Sequence, residues 1–247
     1  MKIALIGYGK MGQMFEAVAL KRGLEVVERF MDVHPLKTDS ETRKKLKSVS
    51  VLVDFSVPSA VMNNVQAACD LGIPLVEGTT GWHDRLGEVK EKVQKAGIGM
   101  VHASNFSLGV NVFFNIVDRA AQLFLPFGQY DPYIEESHHK HKLDAPSGTA
   151  VVLKQIVEAH YRGTAVSIAS VRAGYMPGQH AVSFDSAADT VRLEHTARNR
   201  EGLAEGAVLS ARWIAGKKGF FNFRDIVEQM MQSPARGDAI TDWQSHE

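Results

Sequence analysis

A short apolar segment that runs directly into a glycine-spaced turn is the feature that most restricts how this chain can fold. Residues 2–6 have the composition of a β-strand, and residues 11–22 have the spacing of an amphipathic helix. Between them lies the run Gly7-Tyr8-Gly9-Lys10-Met11-Gly12, which fits the pattern G-x-G-x-x-G. A strand, this turn and a helix in that order predict the first βαβ unit of a Rossmann-type domain.

The same turn predicts a dinucleotide site. Gly7 permits the tight turn, Gly9 lets the backbone approach a pyrophosphate, and Gly12 lets helix and strand pack closely. The helix N-terminus would face the phosphates. Asp32 follows the second predicted strand, where a carboxylate can accept a hydrogen bond from the ribose 2′-hydroxyl. The cofactor-binding residues predicted from this part of the chain are Gly7, Tyr8, Gly9, Lys10, Met11, Gly12 and Asp32.

The choice between NADH and NADPH depends on the charges near the second strand. Asp32 should repel a 2′-phosphate, which favours NADH. Lys10, His34 and Lys37 are close in sequence to the two motifs and could attract the same phosphate. We therefore expect NADH or NADPH as cofactor, with NADH favoured and dual use left open.

The pattern of apolar segments changes along the chain. Over the first hundred residues short β-branched runs alternate with longer amphipathic ones, which predicts a parallel sheet covered by helices. Beyond residue 106, two helical runs are followed by segments 166–172, 180–186 and 190–197, which we interpret as an antiparallel set. The predicted class is α/β: a Rossmann-type parallel-sheet domain plus a second α+β domain with a mixed, largely antiparallel sheet. The predicted boundaries are residues 1–105 with 200–247 for the dinucleotide-binding domain, and 106–199 for the substrate-binding and oligomerisation domain.

Composition narrows the range of partners. The 28 basic and 28 acidic side chains cancel, so the chain lacks the excess of positive charge typical of nucleic-acid-binding proteins, and no nucleic acid is expected. No apolar stretch is long enough for a bilayer, so no membrane partner is expected either. Gly7 interrupts the apolar run at the start of the chain and no small-residue cleavage site follows, which leads us to expect a cytoplasmic location.

Two further segments lie at the carboxyl ends of predicted strands, where ligands of open parallel sheets bind. Asp54-Phe55-Ser56 follows the third strand, and Gly78-Thr79-Thr80-Gly81 follows the fourth. The second segment also has the composition of an ordinary turn followed by a helix cap. We expect both segments to contribute to the cofactor site.

The densest group of reactive side chains lies between residues 135 and 150. Three of the ten histidines and two lysines occupy positions 138–142, followed by Asp144-Ala145-Pro146-Ser147-Gly148-Thr149. A metal site is disfavoured, because no cysteine accompanies the histidines and the lysines would repel a dication. A solvated basic loop would leave the helix start at Ser147–Thr149 unexplained. Cationic side chains near free helix amides instead predict a pocket for carboxylates or phosphates.

This block resembles the signature of the 4-hydroxy-tetrahydrodipicolinate reductase (dihydrodipicolinate reductase) family of the lysine pathway. The resemblance extends over nearly the whole chain and rests on these further segments: residues 7–12, 53–56, 78–81, 103–107, 109–111, 172–174 and 195–200. It implies a two-domain subunit, usually a homotetramer, that reduces an unsaturated heterocyclic dicarboxylate with NAD(P)H. Val33 follows Asp32 where many relatives have an arginine, which leaves tight NADPH selectivity in doubt.

The resemblance also assigns residues to roles. It implies that His138 and Lys142 form the catalytic pair, with Lys142 favoured as proton donor and His138 in a supporting or alternative acid role. The implied substrate-binding residues are His139, Lys142, Ser147, Gly148 and Thr149. The residues expected along the cofactor are Ser56, Gly78, Thr79, Thr80, Ala103, Ser104, Asn105 and Phe106. No metal is expected.

Two other functions are compatible with the first domain. A different Rossmann dehydrogenase of amino or hydroxy acids would use the same cofactor site but leaves residues 138–149 unexplained. A non-catalytic NAD(P)H-binding sensor is disfavoured by the neutral charge and by the absence of a recognisable DNA-reading segment.

Overall fold

Residues 1–232 are described by a computed structural model. Residues 233–247, which belong to the predicted dinucleotide-binding domain, lie outside the described residues. The strands are β1 Lys2–Ile6, β2 Glu25–Phe30, β3 Val51–Asp54, β4 Leu75–Glu77, β5 Gly99–His102, β6 Asp131–His138, β7 Ser167–Arg172, β8 Gln179–Asp185, β9 Thr190–Thr196 and β10 Gly219–Asn222. The α-helices are α1 Lys10–Lys21, α2 Ser40–Lys45, α3 Val61–Leu71, α4 Leu86–Ala96, α5 Leu108–Phe124, α6 Gly148–His160, α7 Glu201–Ile214 and α8 Phe223–Gln232.

The chain divides into two compact units. Among the described residues, the first unit contains residues 1–108 and 201–232, and the second unit contains Gly109–Arg200. None of the helices within residues 1–232 combines the length and the apolar character that crossing a bilayer requires.

The first unit is built on a six-stranded sheet. Its strand order is β10-β5-β4-β3-β1-β2, and every pair in it is parallel. The first three residues of β3, Val51, Leu52 and Val53, are fully buried, as expected of a strand whose two faces are covered by helices. Strand β2 lies on one side of β1 and β3 on the other, so the strand order reverses at β1. This reversal is the switch point at which parallel sheets bind ligands.

Two local features place the helices of this unit. Helix α1 buries Gly12, Phe15, Val18 and Ala19, a spacing of three to four residues that forms one apolar stripe. Helices α3 and α4 end at Gly72 and Gly97, whose φ values of 71° and 66° allow the left-handed cap. Both helices pack on one face of the sheet in a core that contains Leu52, Val61, Val65, Leu75, Trp82, Val89, Val93 and Met100.

The second unit is built on a four-stranded mixed sheet. Its order is β7-β6-β8-β9, in which β6 pairs antiparallel with β8 and β8 pairs antiparallel with β9. Along β6, alternate side chains are buried, so Glu136 and His138 both lie on the face that carries Ile134. Ile134 belongs to a core with residues of α5 and α6, among them Phe113, Phe114, Val117, Leu153 and Val157.

The predicted fold class is confirmed, with three differences in detail. Strand β7 does not join an antiparallel set with β8 and β9, because it pairs parallel with β6 at the opposite side of the sheet. The reason is that α6 lies between β6 and β7 in the chain and forms a crossover, which brings β7 back in the same direction. Helix α2 and strand β10 were not predicted. Both are short, and β10 is held by its pairing with the distant β5.

Candidate active site

The glycine-spaced turn of the first unit is packed too tightly for side chains at two of its three glycines. Gly7 has φ +82°, and a Cβ there would lie 2.5 Å from the carbonyl oxygen of Phe55. A Cβ on Gly12 would lie 2.3 Å from the carbonyl oxygen of Gly7. Gly9 precedes α1, and a Cβ there would meet no atom within 4 Å. The turn therefore leaves open space next to the helix N-terminus, as a bound pyrophosphate requires.

The other predicted cofactor residues follow the carboxyl ends of the parallel strands. Ser56 comes after β3, residues 78–80 after β4, and residues 103–106 after β5. Because all these strands run in the same direction, their ends lie along one edge of the sheet, together with the glycine turn after β1.

Buried carboxyl groups hold two of these segments. Asp54 accepts hydrogen bonds from the backbone N–H of Ser56 and from the side chain of Asn64, both at 2.7 Å. Glu77 accepts the backbone N–H of Thr79 at 2.8 Å, and the Thr79 carbonyl accepts the indole N–H of Trp82 at 2.8 Å. The turn is therefore held through both the backbone N–H and the backbone carbonyl of Thr79.

Asp32 is exposed at the tip of a turn beyond β2. Met31 and His34 exchange backbone hydrogen bonds of 3.0 and 2.8 Å across this turn. The basic side chains of Lys10, His34 and Lys37 are exposed as well.

One cation near the glycine turn, Arg29, was not among the residues predicted from the sequence. In the structure, the Arg29 guanidinium lies 5.5 Å from the centre of the Tyr8 ring. Its Nε donates to Glu16 at 2.9 Å. No sequence signal links these residues, because Glu16 lies on α1 and Arg29 on β2.

In the second unit, the start of α6 is formed as predicted for an anion-binding helix N-terminus. Ser147 caps the helix, and its hydroxyl oxygen accepts the N–H of Ala150 at 3.2 Å. A Cβ on Gly148 would meet no atom within 4 Å, so the approach to the first turn is open. Thr149 is partly exposed on the same turn. This arrangement can bind a carboxylate through backbone N–H groups.

A buried network of side chains holds His138. One oxygen of Glu136 hydrogen-bonds Nδ1 of His138. The other oxygen accepts the Arg172 guanidinium at 2.6 Å and the backbone N–H of Ser147 at 3.3 Å. Arg172 also donates to the carbonyl of Asp144 at 3.2 Å through Nε. Glu136 therefore links the catalytic candidate His138 to the start of α6.

The surroundings of Glu136 and His138 lower the pKa of both side chains. Burial pushes the pKa of Glu136 up, but hydrogen bonds from Arg172 and Ser170 and the charge of His138 outweigh it, and the pKa falls to about 2. Burial lowers the pKa of His138, together with the charges of Lys142 and Arg172, while Glu136 opposes this shift. A neutral His138 would donate its Nδ1–H to Glu136, which leaves Nε2 for a substrate.

Lys142 lies beside this network in an open position. Its ammonium pairs with Asp144 at 2.7 Å, and its side chain is 23% exposed. The hydrogen bond from Lys142 lowers the pKa of Asp144. The backbone N–H of His139 donates to the carbonyl of Met176 at 2.8 Å. The buried Nδ1 of His139 has no hydrogen-bond partner among the described residues.

The five predicted substrate residues are close in sequence, because all of them lie within residues 139–149.

His180 on β8 was also missed in the sequence. Its Nε2 lies 3.0 Å from the hydroxyl of Ser147, and its ring is 5.0 Å from that of His138. Burial, together with the charge of His138, lowers the pKa of His180 to about 4, so it is neutral near pH 7. His180 is the cross-strand partner of Glu136. Only the strand register reveals that His180 lies near His138. The position of Glu136 on the same face of β6 could have been predicted, because Glu136 is two residues before His138.

Glu136, His138 and His180 offer three atoms within 4.8 Å of one another, close enough in principle to hold a metal ion. Glu136 already bonds Nδ1 of His138, Nε2 of His180 lies beside the Ser147 hydroxyl, and the Arg172 guanidinium lies 2.6 Å from the same carboxylate. A guanidinium in that position repels a dication, so these residues fit a hydrogen-bond network better than a metal site.

Comparison with known proteins supports the predicted resemblance. Residues 1–106 match the family model "Dihydrodipicolinate reductase, N-terminus", and residues 109–227 match "Dihydrodipicolinate reductase, C-terminus". The second match extends past Arg200 into α7 and β10, which the structure groups with the first unit.

Full-length relatives and a solved structure agree with these matches. A protein of Christiangramia forsetii named 4-hydroxy-tetrahydrodipicolinate reductase is 36% identical over 94% of this chain and 100% of its own length. One of the same name from Archaeoglobus fulgidus is 34% identical over 92% and 100%. A dipicolinate-bound dihydrodipicolinate reductase from Paenisporosarcina sp. TG-14 has the same fold, with a TM-score of 0.76, 21% identity and coverage of 92% and 99%. The chain belongs to the dihydrodipicolinate reductase family.

Proposed function

We propose that this chain reduces 4-hydroxy-tetrahydrodipicolinate to tetrahydrodipicolinate with NAD(P)H and a proton, with loss of the 4-hydroxyl group as water, in lysine and diaminopimelate biosynthesis. Family membership supports the reaction. The observation that carries the proposal is the juxtaposition, within residues 136–149, of a buried His138–Glu136 pair, the Lys142 ammonium and an open helix N-terminus. This combination provides acid groups and anion-binding groups, which the reduction of a diacid needs.

The first unit is proposed as the dinucleotide-binding domain and the second as the substrate-binding and oligomerisation domain. The bound nicotinamide supplies the hydride. The glycine turn and the residues that follow β3, β4 and β5 would hold the cofactor through backbone groups. Asp32 would accept from the ribose hydroxyl, which makes NADH the favoured cofactor, and the exposed Lys10, His34 and Lys37 leave NADPH usable.

In the second unit, the carboxylates of the substrate would bind Lys142, His139 and the amides and hydroxyls of residues 147–149. Lys142 would deliver the proton that accompanies hydride transfer, with His138 as the alternative donor. Bound carboxylates favour the protonated forms of both groups, because they add negative charge next to an imidazole and an ammonium. Glu136 would keep His138 in the orientation that directs Nε2 away from the network.

A homotetramer in the cytoplasm is part of the proposal. The family resemblance supports the assembly, and so do the exposed apolar side chains of Val171, Tyr175 and Val191 on and next to the strands of the second unit. Light scattering should give a mass about four times that of one chain.

The test of the proposed function is turnover. Purified protein is given NADH and the product freshly made by dihydrodipicolinate synthase, and cofactor absorbance is followed. We expect rapid, enzyme-dependent loss of NADH. Binding of NADH without turnover would favour a sensor, and turnover only with simple amino or hydroxy acids would favour a different dehydrogenase.

A further inference from the structure

Two carboxyl groups are buried side by side beneath the proposed cofactor edge of the first unit. Asp54 and Glu77 are the last residues of β3 and β4, are Cα partners across these strands, and have no exposed surface. Neighbouring partners on adjacent strands point to the same face of a sheet, so both carboxyls lie on one face. Two negative charges in such a place, remote from water, repel each other strongly.

The hydrogen bonds distinguish the two groups. Asp54 accepts two short bonds, from the Ser56 N–H and the Asn64 amide, which stabilise a negative charge. Glu77 accepts the Thr79 N–H through Oε1, whereas its buried Oε2 has no donor among the described residues. As Cα partners on adjacent strands, which lie about 4.8 Å apart, Asp54 and Glu77 are direct neighbours. A proton on Glu77 Oε2 would give this oxygen a partner and remove the repulsion.

We propose that Asp54 and Glu77 share one proton, held on Glu77, and that the neutral Glu77 carboxyl positions the turn of residues 78–80 for the cofactor. This inference rests on the proposed function only in its reference to the cofactor. Glu77 is a positioning residue, because it acts through the Thr79 N–H. An ionised Glu77 would be repelled by Asp54, which would displace its carboxyl and the turn that it holds, and it would add negative charge near the bound cofactor.

The surroundings agree with this assignment. Burial raises the pKa of Glu77 well above its usual range, and the charge of Asp54 raises it further. His102 on β5 is in register with Glu77, and His83 lies beside His102. Burial, together with the charge of His83, lowers the pKa of His102 to about 4, so His102 stays neutral near pH 7. The acidic and basic side chains of α3 and α4, on the helices that cover this face, are exposed or partly exposed: Asp70, Glu88, Lys90, Glu91, Lys92 and Lys95.

The raised pKa of Glu77 determines how the stability of the native chain changes with pH. Because the pKa of Glu77 is raised on folding, the native chain keeps a proton that the unfolded chain releases. Rising pH therefore destabilises the native form until the folded pKa is passed. The affinity for NADH should fall at pH values above the folded pKa, where the native chain loses the shared proton, by up to about tenfold per pH unit.

The test compares Glu77→Gln with the wild type. The side-chain amide in the E77Q variant can donate to Asp54 and accept from Thr79, as the neutral acid does, but it cannot ionise. NADH titrations by fluorescence from about pH 6 to about pH 9 should give a flat affinity for E77Q and a falling one for the wild type. Glu88→Gln, the same change on an exposed residue that pairs with Arg85, should keep the wild-type profile. An E77Q profile that falls like that of the wild type would overturn the proposal, and so would a flat wild-type profile in a protein that lacks the infrared band described below.

A second measurement needs neither cofactor nor substrate. The infrared spectrum of the wild type at neutral pH should contain the carbonyl band of a protonated carboxylic acid, which E77Q should lack. Absence of the band in the wild type would overturn the shared proton even if E77Q did not fold. If the band is present but NADH does not bind at all, the proposed function fails and the shared proton stands.

Discussion

The two units assemble their candidate sites from different parts of the chain. In the first unit, the glycine turn and the segments after β3 and β4 are placed by the ends of parallel strands, and they offer mainly backbone groups. In the second unit, the catalytic candidates act through side chains, and the network around His138 joins β6, β7, β8 and the start of α6. A backbone site depends on local steric fit, whereas a side-chain network depends on which residues the strand register brings opposite one another.

Removing the proposed proton donor should have the largest effect and should separate the units most clearly. Lys142→Ala should reduce kcat about a hundredfold or more, because the variant loses both a cation and an acid on the substrate side. NADH affinity should change little, since the lysine belongs to the second unit. Steady-state kinetics and fluorescence titration measure the two effects. Lys140→Ala, at an exposed lysine nearby, is the matched control and should retain turnover. Weakened NADH binding with normal turnover would refute the role.

Neutralising Glu136 should have a smaller effect that tests the side-chain network itself. In Glu136→Gln, the amide cannot replace both the acceptor for His138 Nδ1 and the ion pair with Arg172, so kcat should fall about tenfold. The pH profile of kcat should shift, because the negative charge next to His138 is lost. Glu135→Gln, at a partly exposed neighbour that pairs with Arg192, is the control. An unchanged pH profile would show that Glu136 is only structural.

The smallest expected effect concerns the ribose of the cofactor. Asp32→Ala should weaken NADH binding and shift the preference toward NADPH, each by about fivefold, as expected of an exposed charge. Titrations with both nucleotides measure it, and Glu28→Ala gives the comparison with the other acidic residue of this region. If the preference between NADH and NADPH stays the same in D32A, a residue other than Asp32 determines it.

The difference between the units also explains what could be predicted from sequence. The glycine turn is a local pattern, because its three glycines lie within six residues and Gly12 is required by its contact with Gly7, although Gly7 is also closed in by Phe55 after β3. The segment 138–149 is likewise contiguous. His180 was missed because it is 44 residues from Glu136 and becomes its partner only through the pairing of β6 with β8. The Asp54–Glu77 pair depends in the same way on the register of β3 with β4.

The position of a bound diacid tests the central claim most directly. A crystal structure with NADH and pyridine-2,6-dicarboxylate, a stable planar diacid, would locate the carboxylates. We expect one or both carboxylates to contact the Lys142 ammonium and the backbone N–H groups of Gly148 and Thr149. A diacid bound away from residues 138–149, in a protein that still turns over the substrate, would contradict the account.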